Sequence, residues 1–286
     1  MKSSINPVSK IKACSSKQLQ RLKHWLDEWV KRIEQPAYIQ DDPISFMHAF
    51  DDKEDQALAG FFAAIMAWGR RDIVIAKVQN LLERMDHQPA AFIRNFSDDD
   101  ATVFDGFKHR TFKAVDLFWL TKCLHKIVHV HGSFEAFWKY CYIKAKQTNR
   151  ELIAVFHHEF FGMHKEIPRR TRKHVSNSEK GSSCKRLYLY LRWVIRKGSP
   201  VDLGIMHFMK PSELVVPLDV HSARQARLLG LLTRKYNDWK AAQELTQNMR
   251  KLDPEDPAKY DYALFGIGVK QEKIPEKFVA NQQFVK

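Results

Sequence analysis

The chain has 286 residues and a formal charge of +14, from 47 Lys and Arg against 33 Asp and Glu. That length fits one large domain or two small helical subdomains and suffices to bury a substantial core, and only 11 Gly and 11 Pro disfavour a turn-rich β-protein. No run of 18 apolar residues occurs, so no transmembrane helix is expected, and the polar, basic residues 1–17 lack the apolar centre of a secretory signal. Cys14, Cys123, Cys141 and Cys184 have no CxxC spacing. This argues against an iron–sulfur cluster or zinc finger and, in a chain this long, against a disulfide framework; a reducing cytoplasm is the expected setting. An isoelectric point near 9.6 favours a polyanionic partner such as nucleic acid, the alternative being a basic solubilising surface.

In chain order, Leu19, Leu22, Trp25, Trp29 and Ile33 recur at three- and four-residue spacing and predict a helix over 15–35, closed by Pro36. A short helix follows from Asp42 to Phe50. Residues 51–68 form a strongly apolar helix broken by Gly69, and 72–85 an amphipathic one. Further helices are expected near 112–130, 133–146 and 149–163. Residues 164–180 are basic and poor in apolar side chains, which predicts a loop or subdomain link. Helix returns over 182–197, and Gly and Pro punctuate 198–218. The last helices fall at 220–232, 238–252 and 256–267, with a tail from Lys270 that is expected to be partly mobile. No run alternates as a sheet would, so the fold class is all-α. The expected organisation is a single domain over 1–286, divisible into subdomains 51–163 and 176–270 with helices 15–50 packed on them. His125 and His129 stand four apart but lack the acids of a zinc-binding His-Glu-x-x-His pattern, so no metal or other cofactor is expected.

Two segments carry chemistry. In Gly181-Ser182-Ser183-Cys184-Lys185-Arg186-Leu187, small residues precede a helix with a lysine in its first turn. A helix N-terminus offers free N–H groups to a phosphate and disfavours a protonated amine, although an ordinary capped helix with an exposed lysine has the same sequence. In Val216-Pro217-Leu218-Asp219-Val220-His221, an apolar extended segment ends in an aspartate that opens a helix as its N-cap. Such a carboxylate is held rigidly and suits a developing cation.

Together these segments resemble the helix-hairpin-helix DNA glycosylase superfamily, whose members carry a Gly-rich hairpin, a lysine just after it, and a Pro-Val-Asp-x-His segment opening a helix. Pro217-Leu218-Asp219-Val220-His221 is close to the second motif, and Arg224 with Leu228-Leu229-Gly230-Leu231 is similar to its continuation. The usual Leu-Pro-Gly-Val-Gly hairpin is replaced by the more polar Ser176-Asn177-Ser178-Glu179-Lys180-Gly181-Ser182. The long connection between Lys185 and Asp219 looks most like the archaeal 8-oxoguanine glycosylase branch. Ala67-Trp68-Gly69-Arg70-Arg71, Cys184-Lys185-Arg186-Leu187, Leu191-Arg192-Trp193 and Pro217-Leu218-Asp219-Val220-His221 also resemble an uncharacterised bacterial family.

The glycosylase resemblance implies two helical subdomains with a DNA-binding cleft between them. It implies base-excision N-glycosylase activity on a flipped, oxidised purine, with or without strand cleavage; the alternative is a non-catalytic DNA-binding protein that keeps the fold. Lys185 and Asp219 would be the reactive pair. Charge and position add the DNA contacts. Residues 165–186 hold eight Lys or Arg against Glu166 and Glu179, a local charge of +6 (8 − 2) that includes Arg169, Arg170, Arg172, Lys173, Lys180 and Arg186. By the same resemblance, Gly181 and Ser182 stand where the hairpin would touch phosphate, and Arg70 and Arg71 in the loop that would reach DNA. Trp68, Arg110, Arg192 and His221 are pocket candidates. The expected partner is double-stranded DNA carrying a damaged base, bound by a monomer in the bacterial cytoplasm at the nucleoid, with no membrane involved.

Overall fold

The computed structural model of the protein describes residues 11–284, so residues 1–10 of the basic N-terminal stretch lie outside the described residues. The fold is all-α: 64% is helical, and among the described residues sheet is confined to one two-stranded hairpin. Helix α1 (Ser16–Ile33) buries Leu22, Leu26, Trp29 and Val30 along one stripe and is capped by Ser15, whose hydroxyl accepts from Gln18 N–H. After the short α2 (Ser45–His48), α3 (Lys53–Met66) is capped by Asp52, which accepts from the N–H groups of Glu54 and Asp55 at 2.9 and 3.0 Å. Every residue from Ala57 to Met66 is buried, so beyond its first turn α3 has no solvent face and runs through the larger core.

Helices α4 (Arg71–Arg84) and α5 (Pro89–Asn95) follow; the periodicity did not predict the second, which opens on a proline and lasts only seven residues. The antiparallel strands β1 (Lys108–His109) and β2 (Phe112–Lys113) are also an addition to the expected elements. Then come α6 (Ala114–His131), α7 (Phe134–Thr148) and α8 (Leu152–Gly162). The basic 164–180 segment is less irregular than expected: it contains the single turn α9 (Arg169–Arg172) and a 3₁₀ turn at Ser178–Lys180. Helix α10 (Lys185–Ile195) leads through a long connection to α11 (Val220–Leu228), α12 (Trp239–Leu252) and α13 (Tyr260–Lys270). No helix among the described residues is long and apolar enough to cross a membrane.

Two hydrophobic cores organise these helices. The larger runs from Ile44 through α10 to Leu214 and takes in Ala258 and Tyr262. The smaller joins α1 to α11, α12 and α13. The 176–270 segment therefore contributes to both, because α10 packs on α3. Charged side chains lie where the cores meet. Arg192 on α10 and Arg196 at its C-cap are almost fully buried, and Arg192 donates to Asp261 on α13. Arg196 donates to Glu34 beyond α1 (2.7 Å), to Asp256 before α13 (2.9–3.0 Å) and to Asp202.

The tail departs from the expected mobility. Asn281 donates to the carbonyls of Lys12 (2.8 Å) and Arg227 (2.7 Å), Phe278 is buried against Trp25, and Arg224 holds the Phe284 carbonyl. Gly230 is where the tail and the first described residues meet: its carbonyl accepts from Cys14 N–H at 2.9 Å. Its φ is +74°, and a Cβ there would lie 2.8 Å from Cys14 N and 2.9 Å from Ala280 Cβ. Gly230→Ala is expected to destabilise the fold by roughly 1–3 kcal/mol, read as a lower urea midpoint at unchanged slope.

Candidate functional site

Lys185 is the first residue of α10, and two left-handed residues place it there. Gly181 (φ +79°) ends the 3₁₀ turn, and Cys184 (φ +53°) precedes the helix. Ser182 turns the segment inward by accepting from Cys184 N–H, and Ser183 donates to the Leu218 carbonyl at 3.3 Å. That contact fastens the start of α10 to the residue before Asp219. Asp219 caps α11, its Oδ1 accepting from Ser222 N–H at 2.7 Å. Its Oδ2 faces the amine, with Lys185 Nζ to Asp219 Oδ2 at 3.0 Å across 34 residues of sequence. Both side chains are part-exposed, at 34% and 21%. Burial pushes the Asp219 carboxyl up, but the Lys185 charge and the Ser222 donors outweigh it and hold Asp219 below the ordinary aspartate range.

The pair lines a cavity of about 560 Å³ where the two cores meet. Its walls come from the α3–α4 turn (Trp68, Gly69, Arg71), from α10 (Lys185, Arg186, Leu189, Arg192), from α11 (His221, Ser222), from α13 (Asp261, Phe265), and from Tyr38 and Asp42. Trp68 is part-buried, edge-on to His109 at 4.6 Å. Arg186 stacks over it at 4.9 Å and donates to the Ile65 carbonyl at the end of α3, so this arginine braces the wall; burial lowers its guanidinium to about 10. Arg71 lies over Phe265 at 5.1 Å, and His221 is exposed at the mouth.

The other predicted residues separate into two groups. Arg169, Lys173 and Lys180 are exposed and make no side-chain ion pair among the described residues. The rest are engaged. Arg170 grips Asp116 through two nitrogens (2.8 and 3.1 Å) and also holds the Thr111 carbonyl; Asp116 is held far below its usual range, its burial outweighed by His174, Arg170, Lys113 and Thr171. Arg172 lies over Phe161, and Arg70 pairs with Asp72 at the surface. Arg110, at the hairpin tip, sits beside Gly69 rather than in the cavity wall. Gly181 donates its N–H to the Ser178 carbonyl and accepts from Trp239 N–H, and Ser182 forms a bridge with Asp238. The segment expected to touch phosphate is thus tied to α12. Burial raises the Cys184 thiol to about 11, which leaves it protonated and unreactive. Among the described residues no three His, Cys, Asp or Glu side chains converge as a metal site.

Asp261 is not among the residues that the sequence motifs single out. It lies in the first turn of α13, where an acid reads as an ordinary helix-dipole residue; the available signal was its place within the aromatic run Tyr260-Asp261-Tyr262. In the fold it is buried in the cavity floor, facing Arg192, and Ser222 Oγ lies 3.5 Å from its Oδ1. Burial pushes its carboxyl up to about 6 despite Arg192 and Lys185, with Asp219 and Asp202 adding to the rise.

The family described as "protein of unknown function (DUF2400)" matches residues 42–270. The chain belongs to that family. No curated protein and no solved structure matches it.

The raised Asp261 carboxyl has a thermodynamic consequence. The folded state binds that proton more tightly than the unfolded chain, whose aspartates titrate near 4. The Asp261 contribution to stability is therefore largest below about pH 4, falls as pH rises through about 6, and stays low above it. Denaturant titrations from pH 4 to 7 should show this decline in the wild type relative to Asp261→Asn.

Proposed function

We propose that the protein is a DNA N-glycosylase with an associated lyase step, acting on a flipped, oxidised purine. It works as a monomer on duplex DNA in the bacterial cytoplasm, associated with the nucleoid. In this proposal the two helical cores are the two subdomains of a helix-hairpin-helix glycosylase fold, and the cavity between them is the mouth of the DNA cleft. The observation that carries it is the Lys185–Asp219 pair, 3.0 Å apart in the wall of that cavity. The residues were singled out as separate motifs, and the fold brings them into contact.

The chemistry follows from the residue types. Extruding a damaged nucleotide from the duplex delivers its base to a pocket of the size usual for small ligands. Trp68, Phe265 and Tyr38 give that pocket aromatic surface. As the C1′–N bond lengthens, positive charge grows on the sugar. Asp219, held ionised, stabilises it in a site of restricted water access. The Lys185 amine then attacks C1′, and the resulting imine labilises the strand to cleavage; among protein side chains a lysine amine is suited to this step. Exposed Arg169, Lys173 and Lys180 supply cations for the backbone phosphates near the start of α10.

Borohydride treatment of the protein with oxidised-purine duplexes should trap a covalent adduct that Lys185→Ala abolishes. Asp219→Asn should slow base release by roughly 10²–10³-fold. Duplex binding with neither adduct nor base release across a broad lesion panel would instead indicate a DNA-binding protein without chemistry. The Arg169→Ala, Lys173→Ala, Lys180→Ala triple variant should lower the slope of log affinity against log salt by roughly 2–3, measured by fluorescence anisotropy on undamaged duplex.

A further inference from the structure

The Lys185–Asp219 contact leaves a chemical problem. An ammonium does not attack carbon, so Lys185 must lose a proton, and its nearest carboxylate is the one held most firmly ionised. A carboxylate that must stay negative beside a developing cation is a poor place to leave that proton. The cavity contains a second carboxylate, and Ser222 connects the two. The Ser222 N–H donates to Asp219 Oδ1 at 2.7 Å, and its hydroxyl lies 3.5 Å from Asp261 Oδ1. Ser222 is itself buried at 2% exposure, which shields the hydroxyl from competing water.

We propose that Asp261 is the proton acceptor for Lys185, acting through the Ser222 hydroxyl, while Asp219 remains the charge-stabilising carboxylate. This assignment rests on the glycosylase proposal for the role of Lys185 in chemistry but not for the proton transfer itself. In the transfer a Lys185 N–H bond breaks and its electron pair stays on Nζ. The proton is held only in transit on Asp219, whose carboxylate the Ser222 hydroxyl also contacts; it passes on to Ser222 Oγ as the Ser222 proton moves to Asp261. Lys185 goes from +1 to neutral, Asp261 from −1 to neutral, and Asp219 and Ser222 end as they began. No further reactant enters.

The surroundings divide the carboxylates in the sense this requires. Asp261 faces Arg192 and Lys185 from α10, Asp202 from the connection after α10, Asp219 and Ser222 from α11, and Tyr38 from the turn after α1. Burial and the two neighbouring aspartates raise its proton affinity above that of Asp219, to about 6, so near neutral pH it is ionised and able to accept. Two carboxylates with environments that drive their proton affinities apart take different roles in one site. Asp261 is a positioning residue here, because it acts on Lys185 through Ser222.

Reactivity of the Lys185 amine, read without DNA, tests the assignment. The full chain is treated with formaldehyde and cyanoborohydride from pH 5 to 8, and methylation of Lys185 is compared with that of exposed Lys173 by peptide mass mapping. The expected wild-type profile for Lys185 has an inflection near pH 6 that Lys173 lacks. Asp261→Asn and Ser222→Ala should both lose it and react about tenfold more slowly at pH 7. Ser222→Ala removes no charge from the buried cluster, so it carries the test if Asp261→Asn does not fold. Profiles in Ser222→Ala that match the wild type at every pH would overturn the relay, whatever DNA does. Loss of the inflection in both variants, with neither a borohydride-trapped adduct nor base release by the wild type, would sustain the relay and overturn the glycosylase proposal.

Discussion

The buried charges on α10 hold the two cores in register. Arg192 and Arg196 point from one helix into the seam and meet Asp202, Asp261, Asp256 and Glu34, which come from the connection after α10, from α13 and its approach, and from the end of α1. Two guanidinium groups facing four carboxylates inside a protein do not gain stability merely by being paired; removing ions from water costs about as much as their attraction returns. Their effect lies in specificity. A slip of α13 against α10 by one turn would leave a buried charge without its partner, whereas an apolar seam would tolerate it. Tyr262 fits the same pattern: its ring lies 4.0 Å from the Arg192 guanidinium and its hydroxyl donates to Asp202 at 2.8 Å.

That seam determines the chemistry of the cavity above it. Arg192 is fixed by the cluster and in turn fixes Asp261, and Asp261 lies against Ser222 in the first turn of α11. Asp219 caps that same helix. The positions of Asp219 and Asp261 therefore follow from how α11 and α13 pack, while Lys185 is set by the turn that opens α10 and by the tie from Ser183 to the Leu218 carbonyl. The aromatic and basic wall from the α3–α4 turn is braced separately, by Arg186 reaching the last turn of α3.

Most of the helical fold is legible in the sequence because most helices carry a long apolar stripe and a recognisable cap, as α1 and α3 do with Ser15 and Asp52. Helix α5 is too short to establish a period, and the 108–113 hairpin has only two residues per strand. The tail misleads for another reason: its polar residues suggest solvent, yet Asn281 uses its amide as a backbone clamp, which no periodicity reports. In the site, Lys185 and Asp219 stand out because each sits in a run with its own local logic. Arg192 is legible only as a pocket candidate, and Asp261 only as an acid within the aromatic run Tyr260-Asp261-Tyr262. Its surroundings arise from Arg192, 69 residues earlier, and Ser222, 39 residues earlier. The basic 165–186 run is legible as charge, but the grip of Arg170 on Asp116 and the stacking of Arg172 on Phe161 are tertiary facts.

The pairing of α1 with α13 also bears on how the molecule comes into being. Asp27 accepts from the Tyr260 hydroxyl across 233 residues of chain, and the apolar stripe of α1 finds its cover on α11, α12 and α13. During synthesis α1 emerges first and must wait for almost the whole chain before that stripe can be buried. The larger core draws nearly all its residues from 44–214, so most of it is free to condense before α13 is made. Closing the long loop completes the seam, and with it the floor of the cavity. A nascent or partly folded chain thus carries the lysine and the basic run but lacks the assembled carboxylate pair, so the cavity floor is completed only when α13 docks.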